Sequence, residues 1–94
     1  DANKFNEVYS KIKNGGYDNE KITVAKKVLV NICLSTDQVK SIAQIFGHDR
    51  ETLELLKYAY TILTDKNNAN ILADELQYSG SKDEYLKYIS KQNE

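Results

Sequence analysis

Apolar positions along this chain recur with the period of a helix six times over. Phe5, Val8, Tyr9 and Ile12 fall at i, i+3, i+4 and i+7, one helical face, and predict a helix near 3–13. Asn14-Gly15-Gly16 ends it, because glycine accepts the left-handed cap. Asp18 is a favourable N-cap for a second helix to about 33, with Ile22, Ala25, Leu29 and Ile32 on one stripe. Ser35-Thr36-Asp37-Gln38 reads as a capping box. It opens a third helix that turns Val39, Ile42, Ala43 and Phe46 inward and stops at Gly47. Asp49 caps a fourth, with Leu53, Leu56, Tyr60 and Leu63 as its stripe. Thr64 or Asp65 starts a fifth, carrying Ala69, Leu72, Ala73 and Leu76. Ser81-Lys82-Asp83-Glu84 reads as a second capping box before a last helix with Tyr85, Tyr88 and Ile89. The tail Lys91-Gln92-Asn93-Glu94 is expected to fray.

These patterns repeat. Val39, Ile42, Ala43 and Phe46 map onto Ala69, Leu72, Ala73 and Leu76 with a shift of 30. Asp18, Ile22, Ala25, Lys26 and Leu29 map onto Asp49, Leu53, Leu56, Lys57 and Tyr60 with a shift of 31. Phe5, Val8, Tyr9 and Ile12 map onto the third helix with a shift of 34. Each unit is a helix, a tight turn and a second helix, at roughly 3–33, 35–63 and 65–91. One such hairpin cannot bury both its faces, so three stack around a common core. The expected fold is therefore all-α: about six short helices, as three stacked helix-turn-helix hairpins in one bundle and a single domain over 1–94. The fourth helix is apolar nearly all round, since Leu55, Tyr58 and Ile62 line its other side, and this places it centrally.

Composition narrows the function classes. Thirteen basic and 14 acidic residues are interspersed, for a net charge of −1, so the chain carries no electrostatic footprint for nucleic acid or an anionic membrane. Arg50 is its one arginine, which weakens any reading that needs forked clamps on phosphate or carboxylate. The single cysteine, Cys33, forms no intrachain disulfide. No stretch approaches the ~20 apolar residues of a membrane span. The chain opens at Asp1 and contains no Met, which reads as a mature form or an excised piece.

Three segments together carry a family resemblance: Tyr17-Asp18…Lys21-Ile22…Ala25-Lys26, then Leu34-Ser35-Thr36-Asp37-Gln38-Val39…Ile42…Phe46, then Leu53…Lys57-Tyr58-Ala59-Tyr60…Asp65…Asn68. The pattern resembles the domain of unknown function 4476, a family found mainly in Bacteroidetes-type bacteria, over nearly the whole chain. It departs from that pattern at His48, where an aromatic is usual, and at Ala69. Its motifs are core and capping positions, so the resemblance implies a fold and brings no catalytic residues with it. Members are often exported, which implies an extracytoplasmic location, periplasmic or beyond.

Candidate chemistry is thin. Asp65-Lys66-Asn67-Asn68-Ala69-Asn70 begins like a calcium loop but has Asn70 where glycine is needed and Leu76 where a bidentate glutamate belongs. It reads as a helix-start turn. One His with one Cys cannot supply a zinc set, so no metal is expected. A Cys33–His48 nucleophile pair is conceivable, but Cys33 ends an apolar helix, where a buried, inert thiol is the commoner state. His48 fills the turn slot that Tyr17 fills in the first unit, which argues for packing. The acidic pairs Asp18/Glu20, Asp49/Glu51 and Asp83/Glu84 fall in first helical turns, where negative charge favours the helix dipole. The same acidic starts would repel phosphate, which speaks against a DNA recognition helix. No phosphate loop, nucleophile elbow or dinucleotide fingerprint is present, so no catalytic residue and no cofactor is expected.

The seven tyrosines are the remaining signal. Tyr9, Tyr60, Tyr85 and Tyr88 fall on core stripes, and Tyr17 and Tyr78 fall at equivalent inter-helix turns. Leu55, Tyr58 and Ile62 are the candidate partner-binding groove. The expectation is a non-catalytic interaction or accessory module of a larger or exported bacterial protein, with an unknown protein partner. The alternatives are a purely structural spacer, or a ligand-binding or enzymatic domain using Cys33 and His48.

Overall fold

The computed structural model describes residues 2–93. The paired patterns fold as paired helices: α1 (Ala2–Lys13) with α2 (Asp18–Val28), α3 (Thr36–Ala43) with α4 (Asp49–Tyr60), and a 3₁₀ helix (Lys66–Glu75) with α5 (Ser79–Gln92). The three first helices form one row, in which α3 touches α1 and the 3₁₀ helix. The three second helices form the other, in which α4 touches α2 and α5. The chain is an all-α bundle. Its radius of gyration, 12.3 Å, matches the ~12 Å of a compact domain this long, so the hairpins close on a shared core.

That core takes most of the predicted stripes, with Phe5, Tyr9, Ile32, Leu53, Tyr88 and Ile89 only partly buried against it and Leu55, expected on the other side of the fourth helix, wholly buried within it. Val8, Ile12, Ile22, Ala25, Leu29, Val39, Ile42, Ala43, Phe46, Leu56, Tyr60, Leu63, Ala69, Leu72, Ala73, Leu76 and Tyr85 are all buried. The fourth element is central, as its all-round apolarity implies: α4 contacts α2, α3, the 3₁₀ helix and α5. Its equivalents in α5 show what being last requires. Leu53 and Tyr60 give way to Asp83 and the exposed Ser90, and Leu86 is 41% exposed where Leu56 is wholly buried. The outer side of the third hairpin is thus more polar than that of the second.

Several boundaries differ from expectation. The second helix ends at Val28 rather than near 33: Val28, Val30 and Ile32 are β-branched, and Asn31 between them takes a left-handed conformation (φ 61°). The fifth element is a 3₁₀ helix, not an α-helix. Asn67, Asn68 and Asn70 crowd its start, and asparagine side chains compete for backbone hydrogen bonds. Its four predicted core residues are buried all the same. The last helix begins at Ser79, so Ser81-Lys82-Asp83-Glu84 lies inside it and is no capping box; Glu84 instead reaches Lys57 Nζ at 2.7 Å. The tail holds its helix to Gln92, and Asn93 Oδ1 accepts from the Tyr60 hydroxyl at 3.2 Å; Glu94 lies outside the described residues.

Tyr85 joins the two rows at the last hairpin. It is fully buried, and its hydroxyl donates to the Ala69 carbonyl at 2.9 Å. Burial pushes its phenol well above the usual tyrosine range, with Tyr60 and Tyr88 adding to the shift. Tyr85→Phe leaves that carbonyl without its donor in the core. It should cost about 1–3 kcal/mol, read as a lower urea midpoint at an unchanged m-value.

Candidate functional site

Each second helix starts with backbone N–H groups that have no partner within the helix. The residues at those N-cap positions are Tyr17, His48 and Tyr78, none of which caps a helix well. Their donors are satisfied from elsewhere. Asp18 and Asp49 are the first residues of α2 and α4, not their caps, and each carboxylate crosses to the next hairpin. Asp18 Oδ2 accepts from Gly47 N (2.8 Å) and His48 N (2.9 Å). Asp49 repeats this one hairpin on: Oδ1 accepts from Gln77 N (2.8 Å) and Oδ2 from Tyr78 N (2.9 Å). Gln77 Nε2 adds a bond to the Gly47 carbonyl at 3.1 Å. The first turn has no preceding hairpin among the described residues, and its own Glu20 caps Tyr17 N at 3.0 Å. Gly16 makes room for that bond: its φ is +111°, and a Cβ there would stand 2.7 Å from Glu20 Oε1.

A second series runs beside the first. Lys26 pairs with Glu54, and Lys57, its copy, pairs with Glu84, the copy of Glu54. At the opposite end of the hairpins, Leu34 N donates to the Ile62 carbonyl (3.0 Å) and Thr64 N to the Leu34 carbonyl (2.8 Å), an isolated parallel bridge. Ser35 and Gln38 form the predicted capping box there, and Asp65 Oδ1 accepts from Thr36 N at 2.8 Å and its hydroxyl at 3.0 Å. The segment that begins like a calcium loop thus works as a cross-hairpin cap.

Partial burial raises the Asp18 carboxyl, but donation from Gly47 N–H and from the ring and N–H of His48 outweighs it, and the group sits below the usual aspartate range. Asp49 is likewise lowered: the Gln77 and Tyr78 N–H groups, Ser81 and Lys82 outweigh its desolvation. The capped edge presents three rings to solvent. Tyr17 is 82% exposed, Tyr78 68%, and the His48 side chain 79%. The His48 ring is held by a 3.0 Å contact between Nδ1 and Asp18 Oδ2.

Among the described residues, Asp18, His48 and Glu51 form the one group of three metal-capable side chains, with ligand atoms within 4.8 Å of one another. Capping accounts for it. Asp18 Oδ2 already has three N–H neighbours within 3.0 Å, Arg50 Nε stands 3.8 Å from Glu51, and the start of α4 carries the positive end of its dipole. The open groove between α4 and α5, about 510 Å³, is similarly engaged. Its Asp49, Glu54 and Glu84 carboxylates hold the Tyr78 turn, Lys26 and Lys57.

The sequence-predicted groove does not assemble as a surface. Leu55 is wholly buried, while Tyr58 and Ile62 are half-buried against the core. They lie on the side of α4 from which Glu54 reaches α2. Cys33 and His48 are not brought together. His48 lies against the start of α2 and Cys33 beyond its end, about 16 Å of helix away. Nor is Cys33 buried: with the helix ended at Val28, it sits in the following loop and is exposed.

Three outcomes follow for the chain in solution. Asp18→Ala should cost about 1 kcal/mol, the worth of a lost helix cap, and should shift the amides of Gly47 and His48 first. Thermal stability should hold from pH 7 to about 5 and fall below about pH 4, because the folded state keeps Asp18 and Asp49 ionised where the unfolded state takes up protons. An Asp18→Asn, Asp49→Asn variant should show a shallower acid limb in a series of melts. Ellman's reagent should titrate one thiol in the native protein without denaturant.

Comparison with curated proteins and with solved structures gives no match. One family model covers residues 1–89 of the 94. It runs from the first hairpin into the last helix and includes both aspartates and the two turns they hold, and the chain belongs to that family, the Domain of unknown function (DUF4476).

Proposed function

We propose that the domain is a non-catalytic interaction module whose contact surface is the edge of capped turns. The observation that carries this reading is the set of exposed rings, Tyr17, His48 and Tyr78, one per hairpin, on turns whose backbone is bonded by Glu20, Asp18 and Asp49 in that order. Tyrosine brings large, rigid contact area with a polar tip at little conformational cost, which is why it is enriched in binding surfaces. Rings on an immobile backbone lose little further freedom on binding. A spacer would have no use for them there, since they bury almost nothing. The reading without catalysis rests on the carboxylates, which hold turns and lysines instead of converging on a cleft, and on the separation of Cys33 from His48.

A photocross-linking amino acid at position 17 or 78, in the organism that makes the protein, tests this against the spacer reading. The same group at Val30, exposed at the far end of α2, is the control. Discrete adducts from 17 and 78 that are absent from 30 support the module; identical patterns from all three positions sink it. Tyr17→Ala with Tyr78→Ala, which brings no new cap, should move the melting temperature by no more than about 3 °C, as exposed substitutions do.

A further inference from the structure

We infer that the groove at the far end of α5 takes an acidic peptide segment from outside this domain, whose carboxylates pair with Lys87 and Lys91. This is a second surface beside the ring edge and does not rest on it. The groove holds about 280 Å³ and is lined by Lys57, Glu84, Lys87, Tyr88 and Lys91. Glu84, Lys87, Tyr88 and Lys91 fall at i, i+3, i+4 and i+7, one face of α5, and Lys57 meets them from α4. Three ammonium groups share the groove with one carboxylate, and that carboxylate is taken: Glu84 accepts from Lys57 Nζ at 2.7 Å. Lys57 Nζ also stands 5.6 Å from the centre of the Tyr88 ring. Lys87 and Lys91 are exposed, and among the described residues neither makes an ion pair. Asp83, one turn before Lys87, forms none with it, and Glu94 lies outside the described residues. Lys91 suits the negative end of the α5 dipole, but Lys87, more than a turn from that end, has no such use.

The repeat says what Lys87 lacks. Lys26 is met by Glu54 of the next hairpin, and Lys57 by Glu84 of the one after. Lys87 is the third lysine of the series, and no described hairpin follows to meet it. A second copy stacked head to tail would not supply the partner. The first-hairpin position that matches Glu54, by the shift of 31, is Thr23, and its hydroxyl donates back to the Asn19 carbonyl at 3.2 Å. A carboxylate for Lys87 therefore comes from outside this repeat. Charge chooses among the anions. Lysine is a compact point charge on a flexible stem and pairs with a carboxylate without the bidentate fit that arginine gives phosphate. Capture by an anionic membrane takes clusters of about four to eight basic residues, and nucleic acid takes a basic face. Here two free lysines stand beside Asp83 and Glu84, which suits a short acidic segment. The half-buried Tyr88 ring between them offers an apolar floor for the side chain next to an acid.

The test is an amide-shift titration of the labelled domain at about 10 mM ionic strength, where screening is weak. The probes are decaglutamate, a Gly-Ser decamer, an oligothymidylate decamer, and vesicles of phosphatidylcholine with phosphatidylglycerol. Two double variants remove the same charge at different places: Lys87→Gln with Lys91→Gln, and Lys27→Gln with Lys40→Gln, all four lysines being exposed. Saturable shifts with decaglutamate at 84–91 and at Lys57, weakened about threefold or more in the first variant and unchanged in the second, bear the inference out. Equal weakening in both variants, shifts that fall elsewhere, an equal response to the Gly-Ser decamer, or no response to decaglutamate overturns it. Tighter binding of the oligothymidylate or of the vesicles than of decaglutamate assigns the groove to phosphate and overturns it as well.

Discussion

A carboxylate from one hairpin that satisfies the backbone of the next is the interaction on which this architecture turns. A helix start must find partners for its free N–H groups, and most helices use a serine, threonine or aspartate at the cap itself. Here Tyr17, His48 and Tyr78 occupy the cap positions. The second and third turns therefore depend on Asp18 and Asp49. Neither of those turns is complete without its neighbour. The apolar stripes give the hairpins a reason to stack, and the aspartates fix their register by bonding that only the stacked arrangement permits.

The ends of the series follow from the same rule. The first turn has no aspartate reaching it, and it closes on its own Glu20 with Gly16 clearing the space. The last hairpin has Ser79 where the first two have Asp18 and Asp49. The lysine series stops in the same place: Lys26 and Lys57 find Glu54 and Glu84, and Lys87 follows them as a solvent-exposed third copy. Asp83 and Ser90 stand in the third unit where the second has Leu53 and Tyr60, so the third unit differs from the second mainly in the apolar contacts it lacks.

Period and shift made the hairpins, the core and the central helix legible in the sequence. The partners of the aspartates were not. An aspartate at the head of a helical stripe reads locally as that helix's cap, and nothing local says that its carboxylate goes 28 to 30 residues along the chain. The signal that existed was comparative within the chain: the aspartate occurs in two successive units and is missing from the last. The proposed groove failed for a related reason. The same stripe was also what marked α4 as central, and with a neighbour on each side in its row Leu55 is buried and Tyr58 and Ile62 pack against the core. Cys33 was misplaced because its helix was drawn five residues too long, through β-branched residues and the left-handed Asn31.

Relaying the caps has a consequence for what the edge can do. A local cap points a short polar side chain back into the helix, leaving nothing to meet a ligand. Here the carboxylates bond the N–H of the N-cap residue, and in the second and third turns that of the residue before it, while the N-cap side chain itself points outward, so any residue that tolerates extended backbone can stand there. All three positions are extended, with ψ of 169°, 134° and 144°, and all three hold rings. Exposed as they are, these rings contribute little to folding, and serine or aspartate in their place would add a local cap worth about 1 kcal/mol. The arrangement thus forgoes stability at three equivalent points and gains, at each, a ring on a fixed backbone. Stability alone gives no account of that exchange.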